Sequence, residues 1–162
     1  MATKKVLVVL GMGGHTAQIL RLVDLLGPEY EYEYVIGHDD QTSSAKIKHQ
    51  GVIHTMRNPR LMTDRSLLKV LGNMIPATRQ AYTILNRVKP DAVLSAGPAL
   101  TIPLFWLAKM KRVKTIFVES WVRVHHQSLT GKLVYPVSDL FLVQWESMKK
   151  AYPKAVYEGR LS

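Results

Sequence analysis

Four short stretches of this sequence carry residues whose types and spacing suit chemistry. In the first, Gly11-Met12-Gly13-Gly14 is followed at once by His15. A glycine turn between a strand and a helix leaves amides unpaired beside the positive end of the helix dipole, where phosphate binds readily. The adjoining imidazole titrates near neutral pH and suits a general base, and the same dipole opposes its protonation. The pattern is not the dinucleotide fingerprint, because Thr16 holds the sixth position, and it lacks the Gly-Lys-Ser/Thr ending of a P-loop. Tight packing of the turn is an alternative reading of the same glycines.

The second stretch, Ser95-Ala96-Gly97-Pro98 with Thr101 beyond it, offers a close backbone approach and two hydroxyls near a helix start. An ordinary turn and N-cap fits it equally well. The third, Glu119-Ser120, ends the apolar run 115–118; there a carboxylate binds sugar hydroxyls, acts as a base, or complements a helix dipole. In the fourth, the planar guanidinium of Arg123 suits a phosphate, with plain solvation as the alternative. The expected phosphate contacts are thus Gly11, Met12, Gly13, Gly14, Thr16, Ser95, Gly97, Ser120 and Arg123, and the expected catalytic groups are His15 and Glu119. Adjacent residues such as His125 and His126 point in different directions, and no carboxylate lies at ligand spacing, so no metal site is expected.

The surrounding elements have to bring these stretches together. Val6 to Leu10 reads as a buried parallel strand, and apolar residues at Ile19, Leu20, Leu22, Val23, Leu25 and Leu26 give a helix stopped by Gly27-Pro28. Tyr30 to Gly37 alternates aromatic and acidic residues as a strand with one polar face does. Residues 38–49 read as a polar loop or short helix, and Val52 to Thr55 as a short strand. From Asp64 to Val88 the helical spacing is interrupted at Pro76, which predicts two helices or one kinked helix. Strands follow over Ala92–Leu94, Lys114–Val118, Asp139–Val143 and Ala155–Tyr157, with helices over Ala99–Met110 and Glu146–Tyr152. This alternation predicts an α/β fold: a Rossmann-like parallel sheet with helices on both faces and ligands beyond the carboxyl ends of its strands. The first three stretches fall at those ends.

With 162 residues, 47% of them hydrophobic, the chain can bury the core of one domain spanning 1–162. It has no cysteine, so disulfides and thiolate sites are excluded and a cytoplasmic setting is permitted. The first residues run straight into the glycine turn without a secretory apolar segment. The best apolar run, Pro98 to Met110, falls short of the roughly 18–20 residues of a bilayer span. A net charge of +10 calls for an anionic partner: nucleic acid, an acidic lipid surface or a phosphorylated ligand. The stretch Leu67, Leu68, Leu71, Met74 and Ile75, with Arg57, Arg60, Arg65, Lys69 and Arg79 around it, has the composition of a helix in a lipid interface. A core-facing stripe with a basic rim is the alternative.

In order along the chain stand Gly11 to His15 (G-x-G-G-H), the strand and S-x-G loop 92–97, and Glu119-Ser120 with Arg123 (E-S-x-x-R). S-L-T-G-K-L-x-Y follows over Ser128–Tyr135, then D-x-F-x-V-Q-W over Asp139–Trp145 and Y-P-K-A-x-Y-x-G over Tyr152–Gly159. This succession resembles the PssD-like polysaccharide biosynthesis family, which includes the membrane-recruiting subunit of the eukaryotic dolichyl-diphosphate-GlcNAc transferase. That family is similar to the amino-terminal half of MurG-type glycosyltransferases of GT-B fold. The resemblance implies an acceptor-binding subunit of an inverting UDP-sugar hexosyltransferase, with UDP-GlcNAc as the expected donor and a polyprenyl- or dolichyl-(di)phosphate sugar as acceptor. It further implies a separate donor-binding catalytic subunit, no tightly bound cofactor, and peripheral attachment to the cytoplasmic face of a membrane. A non-catalytic recruiting module and a basic nucleic-acid-binding domain are the other classes, the latter without a recognisable RNA-binding motif.

Overall fold

The computed structural model describes residues 3–59 and 67–161. Its strands are β1 (Lys5–Val9), β2 (Glu31–Gly37), β3 (Ile53–Met56), β4 (Ala92–Ser95), β5 (Lys114–Val118), β6 (Leu140–Val143) and β7 (Val156–Tyr157). Its α-helices are α1 (Gly14–Leu26), α2 (Leu67–Val88), α3 (Thr101–Met110) and α4 (Leu129–Val134). The strands form one parallel sheet in the order β3-β2-β1-β4-β5-β6-β7. The chain first winds outward from β1 through β2 to β3, then returns to β4 on the other side of β1. The crevice between the carboxyl ends of β1 and β4 is therefore the topological switch point, the place where such sheets bind ligands.

Both faces of the sheet are buried, which is why β1 and β4 are near-continuous apolar runs. On one face Leu7, Val9, Val35, Val93 and Phe117 pack against α2 and α3 through residues such as Ala81, Leu85, Leu104 and Phe105. On the other, Val6, Val8, Tyr32, Tyr34 and Leu94 meet α1 through Ile19, Leu20 and Val23.

Two expectations change, and one pair of alternatives is resolved. The acidic side of 30–37 is not a solvated face: Glu33 is buried, accepting from Lys5 Nζ at 3.0 Å and lying 2.6 Å from His54 Nε2. β2 lies inside the sheet between β1 and β3, so only Glu31, at its start, stays exposed. Of the two alternatives for the segment with Pro76, the structure has one helix over its described length, in which tertiary packing on α3 outweighs the one backbone bond a proline removes. The segment 146–152 is a 3-10 turn over Glu146–Lys150, while α4, unforeseen, follows Ser128. Ser128 caps α4 by accepting from the Gly131 amide at 2.8 Å.

Candidate functional site

The glycine turn and the second loop meet at the switch point. Gly13 has φ +69° at the N-cap of α1, and among the described residues no side chain caps that helix, which leaves its first amides without a side-chain partner. From the neighbouring strand end Gly97, at φ +113°, presents its bare Cα to the ring of His15: a Cβ there would stand 2.8 Å from Cε1 and 2.9 Å from Nδ1. Gly11 is confined in the same way, since a Cβ would meet Pro98 at 2.8 Å and His15 at 3.3 Å. These two glycines therefore let the loops close on the imidazole. His15 Nδ1 is buried and has no hydrogen-bond partner among the described residues. Burial holds the His15 pKa below the ordinary imidazole value; the Ala96 carbonyl and the Glu119 carboxylate pull it up, and the Arg123 charge adds to the lowering. The ring is neutral at pH 7 and able to take a proton.

A cavity of about 380 Å³ opens beside it, lined by Gly11, Met12 and His15 from the first turn, Gly97 and Pro98 from the second, and Thr130 of α4. Asp39, Asp40 and Asn58, beyond the ends of β2 and β3, close the far side. The acidic pair gives no signal of its own within a stretch that reads as a polar loop or short helix. Its position directly after a strand's carboxyl end, the same as that of Glu119 after β5, is the signal that marks it.

Several expected contacts are engaged within the protein. Thr16 is fully buried and its hydroxyl lies 2.8 Å from that of Ser43, which in turn lies 2.5 Å from Asp40 Oδ2. With one proton, Ser43 donates to the carboxylate and accepts from Thr16. Ser95 is equally buried, 2.5 Å from the Thr101 hydroxyl. Thr16 and Ser95 are both fully buried with hydroxyls turned to partners inside the protein, and neither lines the cavity, which corrects their assignment as phosphate contacts. Thr16, Ser43 and Asp40 tie the glycine turn to the 40–43 loop, and Ser95 with Thr101 braces the second loop from within.

Glu119 is 1% exposed and saturated with donors. Its Oε1 accepts from the Ser120 amide at 2.9 Å; its Oε2 accepts from Tyr152 hydroxyl at 2.8 Å, Ser128 hydroxyl at 3.0 Å and Ser128 amide at 3.3 Å. Its backbone carbonyl accepts from Gln18 at 2.9 Å and Gln144 at 3.2 Å. A carboxylate that is buried, holds four donors and does not line the cavity is out of a substrate's reach, and acts by fixing α4 and its own loop. Burial and the adjacent carboxylate push the Tyr152 phenol up, so it stays a donor. Gln18 and Gln144 as partners of the Glu119 carbonyl, and Ser128 and Tyr152 as partners of its carboxylate, were not foreseen, because the bonds span up to 101 residues of sequence. Ser120 is nearly buried. Arg123 is exposed at the end of a turn in which its amide donates to the Ser120 carbonyl at 2.9 Å. It lies outside the cavity lining, close enough for its charge to be felt at His15.

The basic apolar segment is set apart from this cavity. Arg60 and Arg65 lie outside the described residues, and Leu67, Leu68, Lys69 and Leu71 belong to the first turns of α2. Further along, half-buried Met74, exposed Ile75 and Tyr82, Arg79 and Leu107 line an open groove between α2 and α3. Among the described residues no helix is long and apolar enough to cross a membrane, and no group of three or more metal-ligating side chains occurs.

Fold and crevice together define a class: a Rossmann-like domain of the kind that forms the amino-terminal half of a GT-B glycosyltransferase. Among solved structures the chain is similar to Acinetobacter baumannii MurG, with TM-score 0.69 and 14% identity over 88% of this chain and 41% of that one. It is also similar to the UDP-GlcNAc 2-epimerase of Neisseria meningitidis bound to UDP-GlcNAc, with TM-score 0.71 and 13% identity over 97% of this chain and 47% of that one. The chain thus spans less than half the length of these structures, and the likeness is one of fold. The family is named by sequence: residues 6–161 match "Oligosaccharide biosynthesis protein Alg14 like", and the chain belongs to it. Relatives include the UDP-N-acetylglucosamine transferase subunit ALG14 of Rattus norvegicus, 35% identical over 96% of this chain and 82% of that protein. The subunit of the same name in Schizosaccharomyces pombe is 31% identical over 96% of this chain and 82% of that protein.

Proposed function

We propose that this chain is the acceptor-binding subunit of a two-part, inverting UDP-GlcNAc transferase acting on a polyprenyl- or dolichyl-(di)phosphate-linked sugar. The observation that carries this reading is a neutral histidine, held against Gly97 at the switch point of a domain that amounts to less than half of a GT-B enzyme. In the proposed reaction His15 accepts the proton of the acceptor hydroxyl as its oxygen attacks the anomeric carbon of the sugar nucleotide. The glycosidic bond forms with inversion and UDP departs on the donor-binding partner subunit. The uncapped amides of the glycine turn and the Arg123 guanidinium hold the acceptor phosphates, Ser120 supporting them, and Glu119 keeps this loop and α4 in register. No tightly bound cofactor takes part. The groove between α2 and α3, with Arg79 at its edge, supports peripheral attachment to the cytoplasmic face of a membrane, where such an acceptor resides. The relatives' names, which call them transferase subunits, support a separate partner.

His15→Ala tests the proposal in the complex with the donor-binding partner, using UDP-GlcNAc and a short-chain lipid-diphosphate acceptor. Loss of a general base lowers kcat by about 10²–10⁴-fold, with partner binding and fold retained. Unchanged transfer would remove His15 as base. Full activity of the partner alone on a soluble acceptor would instead make this chain a recruiting module.

A further inference from the structure

The cavity beside His15 is unlike a phosphate site. The chain carries a formal charge of +10, yet among the described residues no lining side chain is a lysine or arginine. Two aspartates line it instead, and like charges at short range oppose a diphosphate there. Sugar hydroxyls are donors, which carboxylates accept well.

The two aspartates differ in availability. Asp40 is buried and accepts from the amides of Thr42 and Ser43 and from the Ser43 hydroxyl. Asp39 is exposed, and among the described residues its side chain forms no hydrogen bond or ion pair. Its carboxylate rests where the missing side chain of Gly37 would project: a Cβ on Gly37 would stand 2.6 Å from Asp39 Oδ1. Gly37 is the last residue of β2, so this clearance puts a free acceptor at the cavity across from the glycine turn.

We propose that the cavity takes the sugar ring of the acceptor and that Asp39 is its specificity-determining residue, accepting hydrogen bonds from ring hydroxyls. The acceptor phosphates then lie outside, toward Arg123 and the glycine-turn amides. This rests on the reading of the chain as the acceptor-binding subunit.

The test uses the complete two-subunit transferase, with Asp39→Asn and Gly37→Ala beside the wild type, and reads acceptor and donor KM separately. Asparagine keeps an acceptor oxygen but loses the charge, and exchanging a charged for a neutral acceptor is worth about 3- to 15-fold in affinity. Asp39→Asn is therefore expected to raise the acceptor KM by that factor and leave the donor KM within about twofold. Gly37→Ala displaces the carboxylate without removing it and raises the acceptor KM in the same direction. Inorganic pyrophosphate, competing with the acceptor, inhibits wild type and Asp39→Asn equally. An acceptor KM that is unchanged or lowered in Asp39→Asn, or tighter pyrophosphate inhibition of that variant, overturns the proposal, since the last two results mean that phosphate occupies the cavity. A wild-type complex that transfers nothing to a lipid-diphosphate sugar overturns the acceptor-binding reading, and the Asp39 assignment with it.

Discussion

Tyr152→Phe isolates the claim that Glu119 is a structural carboxylate. The substitution removes a single hydrogen-bond donor, at 2.8 Å from Oε2, from a side chain that is itself fully buried. The remaining ring keeps its packing on Phe141 and Tyr135, whose centroids lie 4.4 and 4.9 Å away, so no cavity opens. What is lost is one hydrogen bond to a buried charge, worth about 1.5–3 kcal/mol. For a domain of this size each 1 kcal/mol moves Tm by about 2–4 °C, so Tm should fall by about 3–12 °C. Urea unfolding should show the same loss with the slope m unchanged. Glu119→Ala should cost more, about 1–3 kcal/mol for each donor stranded, because it leaves those of Ser120, Ser128 and Tyr152 without their acceptor. A Tyr152→Phe protein with the wild-type Tm would refute the reasoning, since the carboxylate would then be indifferent to its nearest donor.

Gly97→Ala forces a side chain into φ +113° and against the His15 ring; it should cost about 1–3 kcal/mol in backbone strain and lower kcat by about 10²-fold or more, read by calorimetry and transfer assays. Because burial lowers the His15 pKa, kcat/KM for the acceptor should stay level through pH 7 and fall only at pH below the ordinary imidazole value of about 6.5. The same shift makes the unfolded ring bind a proton more readily than the folded one. Its effect on stability is therefore absent above about pH 6.5 and appears as a loss while pH falls from there toward the folded pKa, a loss that His15→Asn should abolish in urea titrations. Ser43→Ala leaves the buried Asp40 carboxylate short of a donor and Thr16 without its partner, and should lower stability by about 1.5–3 kcal/mol in the same titrations.

Periodicity made the sheet legible. The run 6–10 and the strand at Lys114–Val118 could be read because both faces of a parallel strand are covered and the apolar run is unbroken. The strand with Glu33 misled for the opposite reason: an acidic residue inside a sheet looks solvent-facing until Lys5 and His54 are brought to it by β1 and β3. At the site, the meeting of His15 with Gly97 followed from two strand-end loops, and the fold supplied what spacing could not, the adjacency of β1 and β4. Thr16 and Ser95 look like ligand hydroxyls in one dimension. Their partners, Ser43 and Thr101, stand 27 and 6 residues away and use those hydroxyls internally. Glu119 shows the same limit, since a buried acceptor and a catalytic base have the same letter and differ only in how many donors converge on them.

The central claim is that this chain supplies one half of a transferase and the acceptor hydroxyl's base. The direct measurement is transfer of GlcNAc from UDP-GlcNAc to a lipid-diphosphate sugar by purified donor-binding partner, titrated with this chain or with its His15→Ala variant. Activity that rises from nothing to saturation at a fixed ratio of wild-type chain to partner, and stays at least 10²-fold lower with an equally bound variant, is the result predicted. Equal rates with either chain, or with the partner alone, would contradict the account.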